Sequence, residues 1–294
     1  MRLATVYTRV GQTPAARTTM VLRVESPIPS PEQAPKAVVT GVPVPGFTAV
    51  GELLQEENWR DLAAAATGET VTVAAADLAP VIPNPGKIIC VGVNYLKHIK
   101  EMGHAIPEHP TLFIKFPEAL TGPYDEVNVP EFATNALDFE GELAVIIGKR
   151  AFRVSEEEAP DYIGGWAVLN DYTQRDLQNR GAKQWHQGKS LYRSAGFGPW
   201  LTTSDSWQLG GAITTTVDGT QMQHNPTDDM VFGPAMLISY ISQIYPLNPG
   251  DVISTGTPSG VGHARDPKAY IQDGQTVTIT IDELGTISNT TRYE

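Results

Sequence analysis

Three acidic residues alternate in a short segment that otherwise resembles a buried strand. Asp138, Glu140 and Glu142 stand two residues apart, so in a strand their side chains would project from one face. The segment runs directly into the apolar residues 144–147, which are typical of a strand buried on both faces. A solvated face of an amphipathic strand is the alternative. Acidic residues are poor strand formers and like charges in line repel, which favours a functional site.

Buried carboxylates must be neutralised by a proton, a cationic side chain or a metal ion. Oxygen ligands select Mg²⁺, Mn²⁺ or Ca²⁺, whereas zinc would call for His or Cys. Asp171 is the best candidate for a further ligand, because it closes the apolar run WAVLN at residues 166–170. The alternative for Asp171 is a cap on the following helix at RDLQNR.

A histidine and a glutamate form the second candidate constellation. His98 and Glu101 are three residues apart in LKHIKEMG, so on a helical turn they share one face and can hydrogen bond. The carboxylate would orient the imidazole and raise its basicity, as a general base acting on water requires. A purely structural surface pair is the alternative, but the position directly after the apolar run KIICVGV favours a site.

Two lysines and a glycine-rich turn complete the candidates. Lys189 and Lys115 stand in Gly-rich and apolar contexts, where a cation could bind a substrate carboxylate or stabilise an enolate. Surface lysines are the alternative. The segment DVISTGTPSGVG, residues 251–262, is neither a Walker A loop nor a GxGxxG turn. Its hydroxyls and amides could hold a carboxylate, or it could be a plain turn.

Composition limits the classes of protein that can contain these residues. The 294 residues include 33 acidic and 21 basic side chains, a net charge of -12 that would repel nucleic acid and anionic membranes. The N-terminus lacks the apolar segment of a signal peptide, and no apolar run approaches the ~18 residues of a membrane span. Cys90 is the single cysteine and cannot form an internal disulfide. We therefore expect a cytoplasmic protein that binds neither nucleic acid nor membranes.

Proline and glycine divide the chain into two predicted domains. Residues 1–80 combine short Val/Thr/Leu runs with prolines and one helix-like stretch, WRDLAAAATG, closed by Gly68. The segment PNPG at residues 83–86 ends that region, and a larger domain is predicted over 83–294. Strand-like runs predominate there, with one clear helix at AMLISYISQIY. The pattern predicts a β-rich α+β fold, a mixed β-sandwich or roll preceded by a small N-terminal α/β domain.

Several motifs occur together in an order that resembles the fumarylacetoacetate hydrolase family, and in particular its acylpyruvase and fumarylpyruvate hydrolase-like members. They are KIICVGVNYLKHIKEMG, FIKFPEALTGPYDEV, LDFEGELAVIIGK, NDYTQRDLQ, QGKS and NPGDVISTGTPSGVG. The resemblance covers about residues 83 to 291. It implies a catalytic β-sandwich roll, a small N-terminal domain and, usually, a homodimer.

The resemblance also implies roles for individual residues. Glu140, Glu142 and Asp171 correspond to carboxylates that hold Mg²⁺ or Mn²⁺, with Ca²⁺ possible in vitro. The other implied roles concern water activation by His98 and Glu101, oxyanion or enolate stabilisation by Lys189, and substrate binding by Thr257, Lys115, Arg175 and Gln223.

One departure from the family pattern follows QGKS. Many members have an aromatic residue and then Asp or Gly, whereas this chain has Leu191, Tyr192 and Arg193. If these residues line the pocket, they predict an unusual substrate tail.

The main functional hypothesis is a metal-dependent hydrolase that cleaves a carbon–carbon bond in a 2,4-dioxo acid, an acylpyruvate such as fumarylpyruvate. A metal-chelated pyruvate enolate would be the leaving group and His98 would activate the water. The alternative is an oxaloacetate decarboxylase, or a related 2-oxo acid isomerase or lyase, on the same site. A catalytically silent binding protein stabilised by a metal is the third hypothesis.

Overall fold

A computed structural model describes residues 1–8, 18–103, 105–180 and 184–294. Most regular structure in these ranges is β-strand. The strands of the first half are β1 (Arg2–Thr8), β2 (Thr18–Val24), β3 (Val38–Val44), β4 (Val71–Ala74), β5 (Ile88–Gly92), β6 (Thr111–Lys115), β7 (Leu120–Thr121), β8 (Val127–Val129) and β9 (Leu137–Asp138). The strands of the second half are β10 (Gly141–Ile147), β11 (Ile163–Asn170), β12 (Thr173–Gln174), β13 (Ala195–Thr203), β14 (Ala212–Val217), β15 (Thr220–Pro226), β16 (Val252–Ser254), β17 (Thr276–Ile281) and β18 (Gly285–Tyr293).

The described helices are few and short, and they connect or cover the sheets. They are α1 (Val50–Leu53), α2 (Trp59–Ala65), α3 (Leu96–Glu101), α4 (Arg175–Gln178), α5 (His186–Lys189) and α6 (Pro234–Ile244). The predicted helix near residue 240 is α6, which begins with Pro234 in its first turn. The predicted helix at Trp59 is α2, but it ends at Ala65 with Ala66 as its C-cap, so Gly68 does not terminate it as expected.

A large mixed sheet forms one layer of the molecule. Its strand order is β4-β3-β2-β1-β13-β11-β10-β16-β5-β6, with β7 paired to β13. β10 and β11 lie in the middle of this sheet, which explains why every residue of both strands is buried. β1 pairs antiparallel with β13, so the sheet continues from the N-terminal region into the rest of the chain. The division into domains at residues 80–83 stays a prediction.

The second layer is a five-stranded sheet with the order β15-β14-β17-β18-β8. β17 alternates buried Val and Ile with threonines, so it turns one face to the core. The threonines pair with β18 on the other face, for example Thr278 Oγ1 with Ser288 Oγ at 2.8 Å. This arrangement confirms the predicted β-rich α+β sandwich.

Two hydrophobic cores flank the central strands of the large sheet. Leu143 and Val145 of β10 belong to the core that also contains Ile279 of β17. Ala144 and Ile146 belong to the core shared with the N-terminal elements. Since faces alternate along a strand, Glu142 lies in the even-numbered series with Ala144 and Ile146. The acidic segment therefore lies at the start of a central, fully buried strand.

Candidate active site

The acidic segment is broken between β9 and β10, which corrects the prediction that three carboxylates share one face. Asp138 belongs to β9, which pairs with β12, whereas β10 pairs with β11. The Oδ1 of Asp138 accepts hydrogen bonds from the backbone N–H groups of Phe139 and Gly262, at 3.0 and 2.8 Å. Its Oδ2 accepts from Arg175 Nε at 2.9 Å. Asp138 therefore anchors other groups and is not part of the acidic cluster.

The break is stabilised by hydrogen bonds from polar side chains to the backbone. Glu140 N–H donates to Asn170 Oδ1 at 3.1 Å, and Gly141 N–H donates to Gln223 Oε1 at 3.0 Å. A Cβ at Gly141 would lie 2.3 Å from Thr215 Oγ1, so any larger residue between the two acidic residues would have to displace Thr215. These contacts hold Glu140 and Glu142 in fixed directions.

Glu140, Glu142 and Asp171 form a cluster of three buried carboxylates. One carboxylate oxygen from each lies within 4.8 Å of the other two. Asp171 directly follows β11, and its backbone N–H donates to Glu140 O at 2.9 Å. Glu142 Oε2 accepts hydrogen bonds from Ser254 Oγ and from Gly256 N–H. Asp171 does not cap the following helix, which was the alternative for this residue, because the N-cap of α4 is Gln174.

Three buried cations surround these carboxylates. Lys189 Nζ lies 2.5 Å from Glu140 Oε2 and 2.7 Å from Asp171 Oδ2. Lys115 Nζ lies 2.8 Å from Asp171 Oδ1, and it also donates to the Lys189 carbonyl. Arg175 Nη2 joins Glu140 Oε1, at 2.8 Å, to Asp138 Oδ2, at 2.6 Å. Both lysines are therefore buried and paired, which excludes the surface alternative for them.

The two glutamates of the cluster have opposite electrostatic environments. Burial by itself would raise the pKa of Glu140, but Lys189 and Arg175 hold that pKa at about 2. Burial, Asp171 and Glu140 together raise the pKa of Glu142 well above its usual range, because no cation is directly paired with it in the described structure. Burial opposes the charge of Lys189, yet Asp171 and Glu140 raise its pKa.

The cluster fits a hard divalent cation. Its donors are carboxylate oxygens, the class of ligand that Mg²⁺ and Mn²⁺ take. Asp171 Oδ1 makes no aligned hydrogen bond to any described residue, although Lys115 is close. If all groups are ionised, the four buried carboxylates Asp138, Glu140, Glu142 and Asp171 outnumber the three cations by one. A divalent cation would turn this single net negative charge into a single positive one.

His98 and Glu101 form the pair that their spacing predicts. Both lie on α3, and His98 Nδ1 is 2.9 Å from Glu101 Oε2. Gly260 N–H donates to both Glu101 oxygens, at 3.0 and 3.2 Å, which ties α3 to the glycine-rich turn. Burial opposes the charge of Glu101, but the hydrogen bonds from His98 and Gly260 lower its pKa. An ionised Glu101 therefore orients the imidazole of His98 through Nδ1.

The glycine-rich turn contributes Thr257 to the same region. Thr257 Oγ1 donates to Gly141 O at 3.0 Å and accepts from Gln223 Nε2 at 2.7 Å. Gln223 thus connects the turn to the break before β10. Gly256 has a φ of +98°, and a Cβ there would lie 2.9 Å from Val91 O, so the turn requires glycine at this position.

A cavity of about 180 Å³ lies over the cluster. Its described lining includes six of the predicted site residues, namely His98, Glu140, Glu142, Arg175, Lys189 and Thr257. Glu101, Asp171, Lys115 and Gln223 instead contact these lining residues. A larger cavity of about 550 Å³ lies elsewhere, beside Pro83 and Pro249, and its described lining contains none of the predicted site residues.

The structure also corrects and extends the predicted lining. Leu191, Tyr192 and Arg193 are not among the described residues that line the cavity over the cluster, and Arg193 instead pairs with Asp125 at 2.8 Å. Their departure from the family pattern therefore gives no reason to expect an unusual substrate tail. His263 is not among the predicted site residues, yet it lines this cavity. Its only sequence signal is that it directly follows the glycine-rich turn.

Comparison with known proteins identifies the class of this enzyme. Residues 87–292 match the family described as fumarylacetoacetate (FAA) hydrolase C-terminal. The chain belongs to this family, as its motifs predicted, and is an enzyme of that superfamily.

Individual relatives narrow the comparison. The chain is 45% identical over 213 residues to the oxaloacetate tautomerase YisK of Bacillus subtilis (strain 168), covering 71% of this chain and 70% of that protein. It is 42% identical over 217 residues to the mitochondrial oxaloacetate tautomerase fahd2 of Xenopus laevis, covering 72% and 67%. The fumarylacetoacetate hydrolase of psychrophilic Exiguobacterium antarcticum superposes with a TM-score of 0.78 at 29% identity, covering all of both chains.

The described helices include none that is long and apolar enough to cross a membrane.

Proposed function

We propose that this enzyme interconverts the enol and keto forms of a 2-oxo dicarboxylic acid such as oxaloacetate. The observation that carries the proposal is the oriented His98–Glu101 pair, whose imidazole lines the same small cavity as the acidic cluster. The two relatives described above, 45% and 42% identical to this chain, are named as oxaloacetate tautomerases. Isomerisation of a 2-oxo acid was part of the predicted alternative, and we now prefer it to acylpyruvate hydrolysis.

Tautomerisation moves one proton from the enol oxygen to the neighbouring carbon, and it needs neither water nor an oxidant. Glu101 occupies Nδ1 of His98, which leaves Nε2 as the nitrogen that can exchange a proton with the substrate. A positioned base of this kind contributes typically 10²–10⁴-fold to a rate. We assign the proton transfer to His98 and the positioning of its ring to Glu101.

Lys189 supports this proton transfer by stabilising the negative charge that develops on the substrate. Two of its three N–H groups face Glu140 and Asp171, so the third is available for a substrate oxygen that gains negative charge. Its ammonium also lies 5.2 Å from the centre of the Phe113 ring, which holds it beside the cavity wall. Thr257 and Arg175 provide further polar contacts at the same wall.

Glu140, Glu142 and Asp171 are the residues that would hold Mg²⁺ or Mn²⁺ at this site. When bound, the ion supplies Lewis-acid chemistry, which polarises the 2-oxo group and lowers the cost of enolisation. Counted over the four buried carboxylates including Asp138 and the three cations, the ion would leave a single positive charge, which suits a dianionic substrate. The identity of the ion stays a proposal.

Hydrolysis of an acylpyruvate is the second candidate function. The same His98 Nε2 could deprotonate water, and the structural neighbour from Exiguobacterium antarcticum is named as a hydrolase. Decarboxylation of oxaloacetate would use the same enolate. The predicted homodimer and cytoplasmic location are likewise proposals, supported by the motifs and the composition.

The test follows the ultraviolet absorbance of enol-oxaloacetate with Mg²⁺ or Mn²⁺ present. We expect the wild-type enzyme to accelerate ketonisation and His98→Asn to lose at least roughly 10²-fold of that acceleration. His224→Asn is the matched control, because His224 is exposed and outside the described lining of the cavity. Pyruvate release from a panel of acylpyruvates is measured in parallel. Fast acylpyruvate cleavage without enol ketonisation would replace the tautomerase proposal by hydrolysis.

A further inference from the structure

His263 is the second imidazole that lines the cavity, and its backbone is firmly anchored. It lies in a short 3-10 turn, Gly262–Ala264. Its N–H donates to Asp138 Oδ2 at 2.9 Å, and that of Gly262 donates to Asp138 Oδ1 at 2.8 Å. Asp138 is also the carboxylate that binds Arg175. The turn is therefore fixed directly beside the Arg175 side of the cavity.

The ring of His263 is held by Tyr270. The phenol oxygen lies 2.7 Å from His263 Nδ1, and the two rings stack with centroids 6.1 Å apart. Tyr270 is itself held by its neighbours, because Ala269 N–H donates to Gly262 O at 3.0 Å and Ile271 N–H donates to Leu137 O at 2.9 Å. Occupation of Nδ1 leaves Nε2 as the ring nitrogen available to the cavity. This degree of positioning is typical of residues that contact a ligand.

Polar groups that can bind an anion surround His263. Gln178 Oε1 accepts from Arg175 Nη1 at 3.1 Å, so the amide N–H groups of Gln178 remain available as donors at the cavity wall. Burial and the positive charges of Arg175 and Lys268 lower the pKa of His263. A neutral His263 ring would bind an anion through a hydrogen bond, and the nearby guanidinium of Arg175 would supply the positive charge.

We propose that His263, positioned by Tyr270, is a specificity-determining residue that donates a hydrogen bond from Nε2 to the second carboxylate of a 2-oxo diacid. In this arrangement Tyr270 OH donates to Nδ1, and Gln178 completes the anion subsite. The inference rests on the proposed function, because it assumes that the 2-oxo carboxylate end of the substrate occupies the acidic cluster. This hydrogen bond would make the enzyme bind a dicarboxylic substrate more tightly than a monocarboxylic one.

The test compares pyruvate with oxaloacetate, which differ by one carboxylate. Binding is measured by quenching of tryptophan fluorescence with Mg²⁺ present, since Trp185 lines the cavity. His263→Phe retains a ring without the nitrogens, His263→Gln restores a donor, and Tyr270→Phe removes the positioning hydroxyl. Oxalate serves as a probe of the metal-side subsite and as a check on folding.

We expect His263→Phe to weaken oxaloacetate binding roughly 10- to 100-fold, the size of a hydrogen bond to a charged group, and to leave pyruvate and oxalate within twofold. KM for enol-oxaloacetate should rise with little change in kcat. His263→Gln should recover part of the loss, and Tyr270→Phe should show a smaller effect of the same kind.

Two results would overturn the inference. One is unchanged oxaloacetate affinity in His263→Phe, and the other is an equal loss for oxaloacetate, pyruvate and oxalate, which would indicate a structural role. Failure of the proposed function looks different, because the wild-type enzyme would then bind oxaloacetate without accelerating its ketonisation.

Discussion

Replacing each of the two cluster glutamates by glutamine should change the stability of the metal-free protein in opposite directions. Glu140 and Glu142 have the same chemistry, are separated by one residue and are both buried. Glu140 is paired with Lys189 and Arg175, whereas the donors to Glu142 among the described residues are neutral, and two other carboxylates face it. Glutamine keeps the shape of the side chain, removes the charge and replaces one acceptor oxygen by an NH2 donor. Since this change is the same at both positions, the difference between the two variants reports chiefly the opposite electrostatic environments.

For Glu140 the magnitude follows from its pKa. The folded-state pKa of about 2 lies below the ordinary 4.5, and each unit is worth about 1.4 kcal/mol, so ionised Glu140 contributes about 3 kcal/mol. Because the pKa is lowered, this contribution is fully present above pH 4.5 and disappears as the pH falls through 2. At pH 7, Glu140→Gln should lower the melting temperature by roughly 5–10 °C.

For Glu142 the sign is reversed. Its raised pKa means that ionisation at neutral pH destabilises the folded protein, and that this penalty disappears below the ordinary value of 4.5. With chelator at pH 7, Glu142→Gln should melt above the wild type, and mild acidification should narrow the difference. Saturating Mg²⁺ should stabilise the wild type, by about 2.7 kcal/mol at 100 times Kd, and should not stabilise the variant.

The assay is a series of thermal melts of the three proteins at pH 7 and 5.5, with EDTA or with Mg²⁺. Glu157→Gln is a matched control, because Glu157 is an exposed glutamate for which no strong electrostatic partner is described. Equal destabilisation of both cluster variants in EDTA would refute the opposite electrostatic environments of Glu140 and Glu142. Retained Mg²⁺ stabilisation in Glu142→Gln would remove Glu142 from the proposed ligands.

Three further predictions test other parts of the site. Lys115→Met should lower the free energy of unfolding by about 3–5 kcal/mol in urea melts, since Asp171 loses a buried partner; an effect below 1 kcal/mol would contradict the pairing. Glu101→Gln should lower kcat for ketonisation by roughly 10²-fold while Mg²⁺ affinity by calorimetry stays the same, and unchanged kcat would exclude a positioning role for Glu101. Gly141→Ala should cost about 1–3 kcal/mol in the same urea melts and weaken Mg²⁺ binding, because the added methyl group meets Thr215; wild-type values for both would show that the break can relax.

Most contacts among the candidate site residues could be predicted from the sequence, because local spacing determines them. The His98–Glu101 pair follows from helical periodicity, and Asp171 follows from the end of an apolar strand. Asp138 was placed wrongly, because strict strand alternation assumes a continuous strand. The hydrogen bonds that interrupt the strand come from Asn170 and Gln223, which are distant in sequence and give no local signal.

The sequence predicted the class and the layers of the fold, but it did not predict which distant strands pair with each other. Alternating Thr and Ile indicates a strand with one buried face, and the continuous apolar run of β10 indicates a central strand. Nothing in the local pattern of residues 1–80 shows that β1 pairs with β13, about 200 residues away. That pairing depends on long-range packing, as does the position of His263 at the cavity.

Charge balance explains how an acidic protein could bind the acidic substrate proposed for it. The chain carries a net charge of -12, which on its own would repel a dicarboxylate. In the cavity, however, Lys189 and Arg175 offset most of the carboxylate charge at distances below 3 Å, and a divalent cation would make the local balance positive. Interactions beyond the ~10 Å screening length at 0.1 M salt are weak, so the buried site outweighs the distant surface. Binding of the proposed dicarboxylate would therefore depend on the metal and its surrounding cations, so removal of the metal with EDTA should abolish oxaloacetate binding, measured by tryptophan fluorescence, as well as turnover.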